Sequence, residues 1–199
     1  MAKNADIAGV KIGKPMNFEE ANKNNANPYY VNYPTDEKYN TNCQSCVLAY
    51  EARRRGYDVK AIARGKYDKT ALLSKDSAAS FINTSTGKPC KFEEVKSTNS
   101  SNLYNTLEKT VKPNERYFFR YNWFASGETG GHVVTLEKDE NNNLAIYDPQ
   151  TGRRKYKDEM KQYFSSYLKF NGKSEIGIIR VDDKDFNNFF VNDGVLEKS

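Results

Sequence analysis

The chain of 199 residues contains one histidine, three cysteines and one tryptophan. No stretch approaches the length of about 18 apolar residues that predicts a membrane-spanning helix. The N-terminal segment has no apolar core of the kind that secretory signals carry, so we expect a protein that is made in the cytoplasm. Three cysteines, an odd and small number, argue against a disulfide-stapled fold.

Charge of neither sign dominates, because 31 Lys and Arg face 26 Asp and Glu, for a net charge of +5. The basic residues are spread along the chain without a long run, and no nucleic-acid-binding motif accompanies them. We therefore expect a solvated surface and no nucleic-acid partner. Hydrophobic residues make up only 37%, but 14 Tyr and 11 Phe can fill a core, since each aromatic side chain buries a large area.

The first 38 residues differ from the rest in composition. They are rich in Asn, contain Pro15, Pro28 and Pro34, and show no helical or strand period. We predict an extended N-terminal arm over residues 1–38 and a single domain over residues 39–199.

Hydrophobic periodicity within that domain predicts a first helix followed mostly by strands. The predicted helices are 43–55, a short one near 76–82, 101–111 and 156–168. The predicted strands are 57–63, 116–124, 132–138, 144–150 and 176–181, with a flexible loop at 125–131. This order predicts an α+β fold with an antiparallel sheet.

The first predicted helix carries a cysteine in its first turn. The residues that share one face at helical spacing are Cys43, Cys46, Val47 and Tyr50. Asn42 or Thr41 can serve as the N-cap, and Gly56 follows the predicted end. Because the unpaired N–H groups and the dipole at a helix start favour an anion, Cys43 occupies a position that stabilises a thiolate.

The single histidine, His132, must carry out any histidine-dependent reaction. It begins a predicted strand, and a hairpin turn leads to the strand that contains Asp148. A turn centred on Glu140 would place His132 directly opposite Asp148, and a shift of two in the paired numbers would keep both side chains on one face. A carboxylate beside the imidazole would fix its tautomer and stabilise the imidazolium form.

Other interpretations use the same residues. His132 could be a surface histidine without a role. Cys43, Cys46, Cys90 and His132 could form a zinc site, but there is only one C-x-x-C pair, and the other two ligands are distant in sequence. A redox pair of Cys43 and Cys46 lacks the βαβ pattern that usually precedes one. We therefore predict neither a metal nor a cofactor, and we expect Cys46 to be a small buried side chain.

Three segments, taken together, resemble a known family. They are NCQSCVLAYEARRRGYDV at 42–59, GGHVVTLEK at 130–138 and AIYDPQTG at 145–152, and IGIIRVDD at 176–183 resembles the closing strand. The family is that of papain-fold toxins (Tox-PL), which occur in bacterial polymorphic toxins and beside phage head proteins. The resemblance covers roughly residues 40–183. It implies a papain-like fold in which an N-terminal catalytic helix packs on an antiparallel sheet.

The resemblance also implies roles for individual residues. Cys43 matches the nucleophile, His132 the general base, and Asp148 the residue that orients the imidazole. We favour Cys43 over Cys46, because it lies nearer the helix start. Gln150 is expected near the site, and the oxyanion hole would need backbone N–H groups near Cys43, with the side chain of Asn42 as a candidate donor.

The activity that the resemblance implies is hydrolysis of an amide in a protein substrate. The leading interpretation is a glutamine deamidase with a toxin-like or effector-like role. A cysteine protease is the first alternative, and a non-catalytic structural or cargo protein of a phage particle is the second. The implied partners are a protein target and components of a phage head or a toxin-delivery system, with packaging in a particle or delivery to a target cell. We expect no membrane partner.

Overall fold

The computed structural model describes residues 6–31, 37–64, 77–191 and 195–199, and every structural statement below concerns these residues. The helices are α1 Phe18–Ala21, α2 Lys23–Ala26, α3 Glu37–Asn40, α4 Cys43–Arg54, α5 Ser100–Thr110, α6 Lys157–Tyr167 and α7 Asn188–Val191, with a 3₁₀ turn at Ser77–Ser80. The strands are β1 Val59–Ala61, β2 Phe81–Ile82, β3 Glu93–Glu94, β4 Arg116–Ala125, β5 Glu128–Lys138, β6 Leu144–Tyr147, β7 Arg154–Tyr156, β8 Ile176–Arg180, β9 Asp185–Phe186 and β10 Leu196–Lys198.

The chain divides into two units. The first consists of Met1–Lys91, Asp148–Gly152 and Asp183–Ser199, and the second consists of Phe92–Tyr147 and Arg153–Asp182. Both combine helices with antiparallel strands, so the predicted α+β class is confirmed. The division at residue 38 stays a prediction. Within the described ranges, no helix is both long and apolar enough to cross a bilayer.

Helix α4 is the central element of the first unit. It is buried along almost its whole length, and Val47, Leu48 and Ala49 are fully inaccessible to solvent. It packs against β1 and β10, which pair antiparallel with Ala61 opposite Leu196, and against α1 and α2. A helix that is covered on all sides needs apolar residues around its circumference or partners for its polar ones. The sequence VLAY at 47–50 is apolar, and the buried Glu51 carboxylate is paired with Arg55 at 2.7 Å.

The helix ends at a glycine that also anchors the N-terminal segment. Gly56 has φ of 105°, which other residues rarely adopt. Its carbonyl accepts a hydrogen bond from the Gly13 N–H at 2.8 Å. A Cβ at Gly56 would lie 2.5 Å from the Gly13 carbonyl oxygen, so no larger residue fits this close approach.

Residues 6–31 contain regular structure that we did not expect. Asn17 and Glu20 form a reciprocal capping box that starts α1, and Asn22 caps α2 with its side chain. Ala21 and Ala26 are fully buried. These helices are single turns, too short for a period to be read from the sequence, and their caps are local hydrogen bonds of asparagine.

The second unit is built on a six-stranded antiparallel sheet in the order β3-β8-β4-β5-β6-β7. Its longest hairpin pairs β4 with β5 from Arg116 opposite Glu137 to Ala125 opposite Glu128. The predicted loop at 125–131 is therefore wrong. Ser126 and Gly127 have φ of 53° and 82°, as in a two-residue hairpin turn with left-handed residues, and the glycines that we took for a loop belong to β5.

Helices α5 and α6 pack with one face of this sheet into an apolar core. Phe119 and Tyr121 of β4 and Val134 and Leu136 of β5 contribute to it, and they alternate with residues of the opposite face. The helical residues in the core are Leu103, Tyr104, Leu107, Met160 and Phe164. The predicted helices 101–111 and 156–168 are confirmed within a residue or two.

The register of the β5–β6 hairpin differs from the one predicted for a turn centred on Glu140. The numbers of two paired residues add up to two more than predicted. Thr135 pairs with Tyr147, because a five-residue turn centred on Asn141 joins the strands and Asp139 Oδ1 accepts from the N–H groups of Asn141 and Asn143. The predicted direct pairing of His132 with Asp148 is wrong, since β6 ends at Tyr147. For the residues that are paired, from Thr135–Tyr147 to Lys138–Leu144, a shift of two preserves which side chains share a face.

Candidate active site

Cys43 is the first residue of α4 and is 9% exposed. The residue before it, Asn42, is the N-cap, and its carbonyl accepts from the Cys46 N–H at 3.1 Å. The side chain of Asn42 caps none of the first-turn N–H groups. The Asn42 side chain therefore does not compensate the N–H groups at the positive end of the helix. That end can stabilise an anion at or near the Cys43 thiol.

The Asn42 side chain is instead the centre of a buried polar network. Its Nδ2 donates to Asn27 Oδ1 at 3.1 Å and to the Ile62 carbonyl at 2.9 Å. Its Oδ1 accepts from Cys46 Sγ at 3.2 Å and from Gln150 Nε2 at 3.3 Å. Both amide hydrogens are engaged inside the protein, so an oxyanion contact from Asn42 would require one of these bonds to be exchanged.

The DPQTG segment is a turn rather than the end of a strand. Asp148 Oδ1 accepts from the Gln150 N–H and Oδ2 from the Thr151 hydroxyl, both at 2.9 Å. The Gly152 N–H closes the turn on the Asp148 carbonyl at 2.8 Å. The predicted strand through residue 150 is thus too long by three residues, because the aspartate side chain hydrogen-bonds its own backbone.

The side chain of Gln150 donates a hydrogen bond to Asn42 Oδ1, and the role of both residues in lining the site stays a prediction. It is 5% exposed, and its carbonyl accepts from Asn27 Nδ2 at 3.2 Å. Asn27 is fully buried and was missed in the sequence, since it lies in an asparagine-rich stretch without any period. The Asn27, Asn42 and Gln150 amides form one cluster, which we call the amide cluster, and it joins the N-terminal segment, the start of α4 and the DPQTG turn.

The two cysteines of α4 differ in their surroundings. Burial raises the pKa of Cys46 well above its ordinary value of 9.0, and electrostatic repulsion from the neighbouring acidic groups of Cys43 and Asp148, where these are ionised, adds to the increase. Cys46 is fully buried and donates its S–H to Asn42. It is therefore held as a neutral thiol, which favours Cys43 as the residue that forms the thiolate.

His132 belongs to the second unit, whereas Asn42, Cys43, Asp148 and Gln150 belong to the first. It is half-buried on β5, directly opposite Tyr121 of β4. The two rings meet edge to face, with centroids 5.8 Å apart. The assembly of Cys43, His132 and Asp148 into a triad stays a prediction.

A zinc site gains no support from the structure. The three cysteines are free thiols, and no group of three or more His, Cys, Asp or Glu that could hold a metal occurs among the residues described.

Gln44 is a second buried polar residue that the sequence did not single out. It is 9% exposed, and its Oε1 has no hydrogen-bond partner in the described part of the chain.

Comparison with known families adds the decisive observation. Residues 41–153, more than half of the chain, match the model of the family described as papain fold toxin 1, glutamine deamidase. The chain belongs to this family. The predicted family and the predicted papain-like fold are therefore confirmed. The matched range contains Asn42, Cys43, His132, Asp148 and Gln150. The search of curated proteins found no significant match to the chain.

Proposed function

We propose that this papain-fold toxin hydrolyses the side-chain amide of glutamine in a protein of a target cell, after delivery into that cell. Cys43 is the nucleophile, His132 is the general acid and base, and Asp148 orients the imidazole. The observation that supports this most is the cysteine at the first residue of a buried helix whose cap residue leaves the first turn uncapped, in a chain of the glutamine deamidase family.

The reaction has two stages. The Cys43 thiolate attacks the amide carbon, and His132 protonates the departing nitrogen, which leaves as ammonia. Water, deprotonated by His132, then hydrolyses the thioester to the glutamate carboxylate and releases the thiol. The backbone N–H groups of Cys43 and Gln44 in the first turn are suited to the oxyanion of both tetrahedral intermediates.

The DPQTG turn supports the role given to Asp148. Its carboxylate accepts one hydrogen bond on each oxygen from within the turn, and these bonds hold it in one orientation. A carboxylate that is fixed before substrate binds does not have to reorganise during the reaction. The amide cluster links this turn to the start of α4, through Gln150 and Asn42.

The test is to incubate the protein with a peptide that contains a single glutamine, and separately with extracts of candidate target cells. Deamidation gives a mass gain of about 1 Da at glutamine, with one ammonia released per event. A Cys43→Ala variant is the control and should give neither signal. Absence of any mass change, with a Cys43 thiol that iodoacetamide labels slowly at pH 6, would count against the proposal.

The same experiment separates the alternatives. Cleavage of peptide bonds in the substrates, or of residues 1–38 in the protein itself, would identify a cysteine protease. Slow labelling of the Cys43 thiol by iodoacetamide, with neither deamidation nor cleavage, would favour a non-catalytic particle component. Growth arrest when the protein is produced inside a target cell, relieved by Cys43→Ala, would support the toxin role.

A further inference from the structure

The imidazole of His132 packs against a large side chain of the neighbouring strand. Tyr121 lies directly opposite it in the β4–β5 pair, and the two rings meet at 82° with centroids 5.8 Å apart. Residues directly opposite in an antiparallel pair have the closest side chains, so this contact depends on the register of a ten-residue ladder. Along β5, the preceding residue on the same face is Gly130, which has no side chain.

Tyr121 is itself held rigidly. It is 2% exposed, and its hydroxyl makes a short hydrogen bond with the hydroxyl of Tyr163 on α6. Its ring also packs edge to face on Tyr163, with centroids 6.0 Å apart, and tilted on Phe119 at 5.6 Å. The ring is therefore fixed by the strand, by the apolar core and by the covering helix.

We propose that Tyr121, anchored by Tyr163, is the positioning residue that sets the orientation of the His132 imidazole. The contact joins the base to α6, which otherwise has no part in the chemistry. A histidine side chain has two torsions, and an aromatic ring packed against the imidazole restricts both. Misplacement of a catalytic group by about 1 Å can cost up to 100-fold in rate, so such a wall matters for turnover. This role rests on the proposed function of His132.

The single histidine makes the test direct, because one set of imidazole NMR signals reports on His132 alone. In the unaltered protein the Tyr121 ring current should shift the imidazole protons away from the positions they have in a solvated histidine. Tyr121→Leu should abolish this shift and lower kcat for the glutamine peptide about tenfold with KM nearly unchanged. Tyr121→Phe keeps the ring and should restore most of the shift and the rate.

Phe118→Leu is the matched control, since Phe118 is a fully buried aromatic on the same strand that faces the other way. It should lower stability without moving the imidazole signals. The proposal is overturned if Tyr121→Leu leaves those signals unchanged, or if Phe118→Leu moves them equally. A protein without deamidase activity but with the expected NMR changes would remove the proposed function and leave the positioning role intact.

Two milder variants decide the matter even if Tyr121→Leu does not fold. Tyr121→Phe and Tyr163→Phe each delete one hydroxyl of the same hydrogen bond. Their small effects on the imidazole signals should be equal, and the double variant should add nothing further. Additive effects in the double variant would contradict an anchor made by that hydrogen bond.

Discussion

Helices α4 and α5 both begin after an asparagine, yet the two asparagines act differently. Asn99 has an extended backbone, and its side chain accepts from the Asn102 N–H at 2.8 Å, which is an ordinary cap of α5. The side chain of Asn42 caps no N–H group of α4. It forms hydrogen bonds with Asn27, Ile62, Cys46 and Gln150 instead. The helix that carries the proposed nucleophile is thus held in place through the side chain of its N-cap residue, and this side chain caps no N–H group of the first turn.

The same contrast extends to the two units. The first has strands of two or three residues and several single-turn helices, and amide side chains hold its separate segments together. The second has strands of ten and eleven residues over an apolar core. The site residues of the first unit should therefore be sensitive to loss of hydrogen bonds, and the surroundings of His132 should be sensitive to changes of shape.

The largest expected effect separates the two cysteines. Cys43→Ala and His132→Ala should each lower the rate of ammonia release by about 10³-fold or more, as loss of a nucleophile or base does elsewhere. Cys46→Ala should lose less than about tenfold, because Cys46 is a buried neutral thiol. If Cys46→Ala were as inactive as Cys43→Ala, the assignment of Cys43 as the nucleophile would be contradicted.

The next prediction compares the two asparagines by the free energy of unfolding in urea. Asn42→Ala removes four hydrogen bonds and leaves buried partners behind, so it should cost about 2–4 kcal/mol. Asn99→Ala removes one exposed cap and should cost about 1 kcal/mol. Equal costs would mean that the amide cluster contributes no more than a cap does.

Two glycines beside His132 sharpen the contrast in shape. A Cβ at Gly130 would lie 2.5 Å from the Trp123 ring, whereas one at Gly131 would meet nothing closer than 3.9 Å. Gly130→Ala should displace the ring and cost about 1–3 kcal/mol, and Gly131→Ala should cost much less. Trp123 is the only tryptophan, so a shift of its fluorescence emission in Gly130→Ala alone would support this, and identical spectra would refute it.

The smallest effect is a dependence of stability on pH. Burial raises the pKa of Cys46 above its ordinary 9.0, so above pH 9.0 the unfolded chain loses this proton while the folded chain keeps it. The contribution is complete below pH 9.0 and is lost as pH rises toward the folded value, at up to about 1.4 kcal/mol per pH unit.

The check is urea unfolding between pH 8 and pH 10, with Cys46→Ala as the control. Burial and the hydrogen bond to Glu108 raise the pKa of Tyr104 from 10.0 to about 12. Above pH 10.0 Tyr104 would therefore add a pH dependence of its own, and the measurement stops there. The variant should show a flatter slope than the unaltered protein. Parallel slopes would show that the Cys46 thiol is not held neutral by the fold.

Several elements were predictable because their signals are local. Helix α4 was predicted from the spacing of its buried residues and from Gly56 beyond its end, and β4 from its aromatic residues. The loop prediction at 125–131 failed because glycine is common both in loops and in strands where an aromatic ring covers it, as Trp123 covers Gly130. Asn27 was missed because asparagine-rich segments carry no period.

The sequence by itself determined the family, the helix that begins at Cys43 and residues 132–138 of the strand that contains His132. Those features depend on residues a few positions apart, whose spacing and cap chemistry are visible in the chain. Only the tertiary structure decided that Asn42 binds Gln150 and that Asn27 binds the same turn, across separations of 108 and 123 residues. A hydrogen bond over such a distance leaves no periodic trace, because the whole fold has to bring its two ends together.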